Sequence, residues 1–165
     1  MRHELGKWNL DELVKNPTRT IFDQKLAKIE SNAKRFEKIK KSLNSKVSSG
    51  KFLRLLHDIE NITEKSSVIG GYASLRYSEN TQSDEATSLL TRINKFGSDI
   101  ENRLLFFDLW WKRQVDEKNA RRLIKSAGQF SEYLRFKRLL AKYSLSEPEE
   151  RIINALDVTG VSALV

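Results

Sequence analysis

Three long runs of this sequence repeat their apolar residues at intervals of three and four, and that spacing constrains the fold more than any other feature. The first series is Phe22, Leu26, Ile29, Ala33, Phe36 and Leu43, which lines one face of a helix turning every 3.6 residues. It predicts a helix over 19–44. The segment LNSKVSSGK, rich in Ser and holding a Gly, breaks the pattern, and Phe52, Leu55, Leu56, Ile59, Ile62 and Ile69 restart it, predicting a second long helix that reaches as far as Tyr77. Gly70 and Gly71 fall inside that helix. Each costs up to ~1 kcal/mol relative to Ala there, so close helix packing or a local bend is expected. The polar stretch SENTQSDEA then marks a turn, with Ser83 placed to accept the first amides of a third helix and with Asp84 and Glu85 at the positive end of its dipole. The third stripe is Ala86, Leu90, Ile93, Gly97, Ile100, Leu104, Phe107 and Trp111. Shorter helices are predicted over 116–126, 131–143 and 147–156. Ser146 and Glu149 match a capping box at the start of the last, with Pro148 in its first turn.

Nowhere do apolar and polar residues alternate over the length of a strand. The expected fold is therefore all-α: a bundle of long antiparallel helices with shorter C-terminal helices. An intermolecular coiled coil is the competing reading of 22–43, but three stripes of similar length can cover one another within one chain. The 165 residues fit a single helical domain, because domains usually hold about 100 to 200 residues.

Electrostatics and residue usage narrow the function. The net charge of +8 raises nucleic acid as a partner. The basic clusters are Lys38, Lys40 and Lys41; Arg121, Arg122 and Lys125; and Arg135, Lys137, Arg138 and Lys142. They alternate with acids on what read as solvated helix faces, and no RNA-recognition, zinc-finger or helix-turn-helix signature accompanies them, so a nucleic-acid partner is not expected. No apolar run approaches the roughly 20 residues that cross a bilayer, and MRHELGKWNL lacks an apolar signal core. With no cysteine at all, the expected setting is cytoplasmic, without a membrane partner. A catalytic zinc needs about three protein ligands, yet the only two histidines, His3 and His57, are far apart and cysteine is absent. No catalytic residue, metal ligand or cofactor is assigned to this chain. His57, beside Asp58, reads as a satisfied helix histidine, since no nucleophile or oxyanion donors accompany it. Tyr72 and Tyr77 read as packing residues.

The run LLFFDLWW is too apolar for an ordinary amphipathic helix. Leu105, Phe106, Leu109 and Trp110 widen the stripe of Leu104, Phe107 and Trp111, and Asp108 is the single polar break. Either this is the central helix of the bundle, or part of it faces another domain. On the second reading Phe106, Trp110 and Trp111 are the candidate interdomain surface.

The order of WNLDEL, YASLRYSENT, LLFFDLWW and RFKRLLAKYSLSEPEERIINALDVTG resembles the N-terminal helical region of oligoendopeptidase F and its relatives, over nearly the whole chain. YASLRYSENT and the block from YSLSEPEERIIN to TG are its most specific elements. The resemblance implies a helical lobe that precedes a zinc metalloendopeptidase domain, covers its cleft and restricts entry to short, unfolded oligopeptides. The zinc, its H-E-x-x-H helix and a later glutamate would lie in that catalytic domain, the implied partner. The apolar ending GVSALV, after an expected loop over 157–160, fits a fragment of a longer peptidase; this chain alone is expected to be inactive. The alternative is a stand-alone basic helical module that binds protein or nucleic acid.

Overall fold

The computed structural model describes residues 8–159; His3 and the terminal GVSALV lie outside them. Among the described residues six α-helices form: α1 (Arg19–Glu37), α2 (Ser49–Glu79), α3 (Asp84–Leu109), α4 (Glu117–Lys125), α5 (Ser131–Leu139) and α6 (Glu147–Thr159). Among the described residues there is no strand, so the all-α bundle expected from periodicity is the fold.

The long helices start where a short polar side chain can satisfy their first amides. Thr18 Oγ1 accepts from Ile21 N at 3.3 Å, Ser48 Oγ from Lys51 N at 3.3 Å and Ser83 Oγ from Ala86 N at 3.2 Å, each cap contributing about 1 kcal/mol. Two corrections concern helix ends. The first helix stops at Glu37 and continues as a tight 3₁₀ turn over Lys38–Ser42, which brings Ile39, absent from the stripe, against the core. The last helix runs to Thr159, so 157–159 are helical where a loop was expected over 157–160, and Gly160 lies outside the described residues. Close packing does not explain Gly70 and Gly71: α2 is continuous across them, and a Cβ on either would meet no neighbour within 4 Å.

Contacts set the directions of the long helices. Phe22 near the start of α1 packs on Tyr72 near the end of α2 (5.2 Å between ring centres), so these two are antiparallel. Phe52 at the start of α2 meets Phe107 at the end of α3 (6.2 Å), so these are antiparallel too. Consequently α1 and α3 run parallel, laced by Asp23–Arg92 near their starts and Glu37–Arg103 (2.8 Å) near their ends. The core thickens at one end into an aromatic cluster of Phe36, Phe52, Phe106, Phe107, Trp110 and Trp111, with neighbouring ring centres 5.3–6.3 Å apart. There α3 passes into a π-helical turn over Trp110–Gln114, closed by Val115 N donating to Trp110 O at 3.2 Å. The wider turn lets adjacent residues Trp110 and Trp111 both point inward.

Phe106, Trp110 and Trp111 are accordingly only 6%, 3% and 2% exposed. The side chains taken as a candidate interdomain surface lie in the core, covered by α1, α2 and α5 of the same chain. Of the two readings of LLFFDLWW, the structure gives the central helix.

Candidate functional site: the face of helices α5 and α6

Past α4, which buries Ala120 and Leu123, α5 sends only Leu134 into the core and α6 sends no described side chain, so polar bonds fasten these two helices and most of their large apolar side chains stay outside. Gly128, at φ +57°, turns the chain from α4 into α5 with a backbone conformation that favours glycine. One residue of α5, Leu134, enters the core, and Trp111 Nε1 donates to its carbonyl at 3.0 Å. Arg138 then donates to Trp111 O at 3.1 Å, to Val115 O at 2.9 Å and to Glu117 Oε2 at 3.0 Å, stitching the end of α3 to α4 and α5. Lys137 and Lys112 both close on Asp108, at 3.0 and 2.5 Å.

Helix α6 has no buried side chain among the residues described. It lies on α3 through Ser98 Oγ donating to Asn154 O at 3.0 Å and Asn154 Nδ2 donating to Asn102 Oδ1 at 2.9 Å. Its start is tied to the 3₁₀ turn after α1 by Lys40 and Glu147, 3.0 Å apart, with Arg151 2.9 Å from the same carboxylate. Hydrogen bonds from Arg151 and then Lys40 hold the Glu147 carboxyl below its ordinary range. The expected capping box forms in part: Ser146 donates to Glu149 Oε2 from its backbone N at 2.8 Å and from its hydroxyl at 2.5 Å.

What remains outside is a concentration of large apolar side chains. Ten are exposed among the described residues, and eight of these fall between Tyr133 and Leu156. On α5 and the 3₁₀ turn that extends it, Phe136 (58% exposed), Leu139 (71%) and Tyr143 (69%) recur at three and four, with Tyr133 beside them. On α6, Glu149, Ile152, Ile153 and Leu156 recur at i, i+3, i+4 and i+7. Between the two helices runs a groove of about 360 Å³, floored by Leu104, Leu105 and Trp111 and walled by Tyr133 and Lys137 on one side and Glu150 and Asn154 on the other. Isolated exposed apolar residues are ordinary; eight concentrated within one short stretch of chain mark a candidate contact surface.

Other residues singled out from the sequence have structural roles. His57 is half exposed on α2, 3.1 Å from Glu60 and edge-on to Phe130. Tyr72 is buried against Phe22, and burial raises its hydroxyl pKa. It shares a polar groove with Arg19, Arg76 and Arg92, but Arg76 is matched by Glu79 and Arg92 by Asp23. Glu79 also accepts from Trp8 N at 2.9 Å, so the WNLDEL and YASLRYSENT segments meet. Much of the basic excess is likewise engaged. Arg122 donates to Val47 O at 2.8 Å, Arg121 pairs with Glu117, and Arg135 pairs with Glu132.

The exposed stripes of α5 and α6 were not identified from the sequence. The signal was present at Ile152, Ile153 and Leu156, but periodicity locates the apolar face of a helix without saying whether anything covers it. Among the described residues no cluster of three or more His, Cys, Asp or Glu could hold a metal ion, and no helix is long and apolar enough to cross a membrane. Comparison of the chain with family models, curated proteins and solved structures found no match.

Proposed function

We propose that this chain is an accessory helical lobe that works by contact with another polypeptide domain and, following its resemblance to oligoendopeptidase F, one that roofs the cleft of a zinc metalloendopeptidase. The observation that carries the reading is the one-sided exposure of apolar residues between Tyr133 and Leu156 on helices anchored by polar bonds. A lobe that must sit against a second domain needs a rigid core of its own and an apolar face kept free for the neighbour. The YSLSEPEERIIN block that carries much of the resemblance includes part of that face. In this role the lobe limits access to the cleft by its bulk, so extended oligopeptides enter and folded proteins do not. Hydrolysis belongs to the zinc-activated water and carboxylate base of the other domain.

The test is the reading frame that follows the Val165 codon. An H-E-x-x-H segment downstream, and zinc-dependent cleavage of a quenched fluorescent peptide by the extended product but not by the 165-residue chain, supports the lobe. A stop codon at that position overturns it.

A further inference from the structure

At the end of the bundle away from the aromatic cluster, the start of α1, the last turns of α2 and the start of α3 enclose a groove of about 490 Å³, within the size range of small-molecule sites. Phe22 and Tyr72, whose ring centres are 5.2 Å apart, and Leu89 give it an apolar wall. Tyr72 is 5% exposed, and its hydroxyl enters no hydrogen bond among the described residues. The buried side-chain atoms without a partner there are Trp110 Nε1 and Ser144 Oγ, so the Tyr72 hydroxyl is not sealed in the core but opens on the groove. Burial raises its pKa above the ordinary phenol value, which keeps it a donor at neutral pH. Of the charged side chains that line the groove, Arg76 is committed to Glu79 and Arg92 to Asp23. Two charges are left over. Arg19 and Glu85 enter no ion pair among the described residues, and they have opposite sign.

We infer that this groove binds a small zwitterion with an apolar side chain, a free α-amino acid of the phenylalanine or leucine kind. A simple anion would face the Glu85 carboxylate and a simple cation the Arg19 guanidinium, whereas a molecule that carries both charges matches both. Its carboxylate pairs with Arg19 and accepts a hydrogen bond from the Tyr72 hydroxyl. Because Arg19 is the first residue of α1, that carboxylate also lies at the positive end of the helix dipole. The ammonium pairs with Glu85, and the apolar side chain lies against Phe22 and Leu89. No residue lining the groove belongs to α5 or α6, so the site is independent of the face assigned to a second domain.

Isothermal titration calorimetry of the 165-residue chain with L-phenylalanine and with L-leucine tests the inference. Saturable one-to-one binding is expected. N-acetyl-L-phenylalanine, which lacks the ammonium, and L-phenylalaninamide, which lacks the carboxylate, should each bind at least about tenfold more weakly, as for the loss of one charge-assisted contact. Arg19→Gln should abolish the preference for the acid over the amide and keep that for the free amine; Glu85→Gln should do the converse. Tyr72→Phe should weaken L-phenylalanine binding about three- to tenfold and leave the melting temperature unchanged, because the hydroxyl bonds to nothing in the fold, whereas a purely packing role for Tyr72 leaves binding as it was. The inference is overturned by the absence of saturable heat at about 10 mM of either amino acid, or by binding that none of the three substitutions alters. Neither result touches the lobe reading, which the reading frame after Val165 decides.

Discussion

Two adjacent tryptophans illustrate how far a side chain's value depends on one atom. Trp111 Nε1 donates to Leu134 O at 3.0 Å, and Arg138 lies 5.7 Å from its ring centre; Trp110 is equally buried, but its Nε1 has no hydrogen-bond partner. An unsatisfied buried donor already costs about 1–3 kcal/mol, and removing one partner of a made bond costs a similar amount. Trp111→Phe should therefore be more destabilising than Trp110→Phe by about 1–2 kcal/mol, read from urea midpoints at unchanged slope. Trp111→Ala should lose about 3–5 kcal/mol, as for any large core aromatic. Equal losses for the two Phe variants would show that the Leu134 bond contributes nothing net. The width of the apolar stripe in LLFFDLWW was legible, but its burial was not, and which indole finds a carbonyl depends on the π-helical turn and on where α5 crosses it.

At the scale of the element, glycines and carboxylates make opposite predictions in different helices. Gly70 and Gly71 lie inside α2 with free space at the Cβ position, so Gly70→Ala should raise stability by up to about 1 kcal/mol. Gly128 also has free space but sits at φ +57°, so Gly128→Ala should lower stability by about 1 kcal/mol through backbone strain alone. Chemical denaturation of both variants decides, and a sign reversed in either would contradict the corresponding backbone argument. Glu101 on α3 has its pKa raised above 4.5 by burial and then by the charge of Asp157 on α6. The native chain thus holds this proton more tightly than the unfolded one, and the stability it contributes is lost as pH rises from 4.5 through the folded value. Glu101→Gln should accordingly stabilise the protein near pH 7 by a few tenths of a kcal/mol, a figure kept small for a group near the surface, and should have no effect at pH 4. A gain of the same size at both pH values would rule out the carboxylate as its cause. With no buried side chain among the residues described, the amides of α6 should exchange with deuterium fastest among the six helices, which exchange mass spectrometry measures.

On the scale of the molecule, the chain has one aromatic-rich core at the end where α1, α2 and α3 converge, and a C-terminal pair of helices attached to its flank. Because His57 is the one histidine among the described residues and no acid cluster accompanies it, added zinc should leave the melting temperature unchanged; binding to the folded state alone would raise it by mass action. A zinc-dependent shift would place a metal site in this chain and revise the lobe reading.

The helices, their approximate ends and the all-α class follow from the linear order of residues, because apolar periodicity, short polar caps and glycine act over a few positions. The same local rules located the stripe of Ala86 to Trp111 and the start of α3 at Ser83. They could not tell a covered stripe from a bare one. That Phe106, Trp110 and Trp111 are interior while Phe136, Leu139 and Ile152 are exterior was decided by tertiary packing: the three long helices meet at the aromatic end and shield the first set, and the polar anchors of α5 and α6 hold the second set outward. Burial is a property of what lies opposite a side chain, and that neighbour sits tens of residues away in the chain.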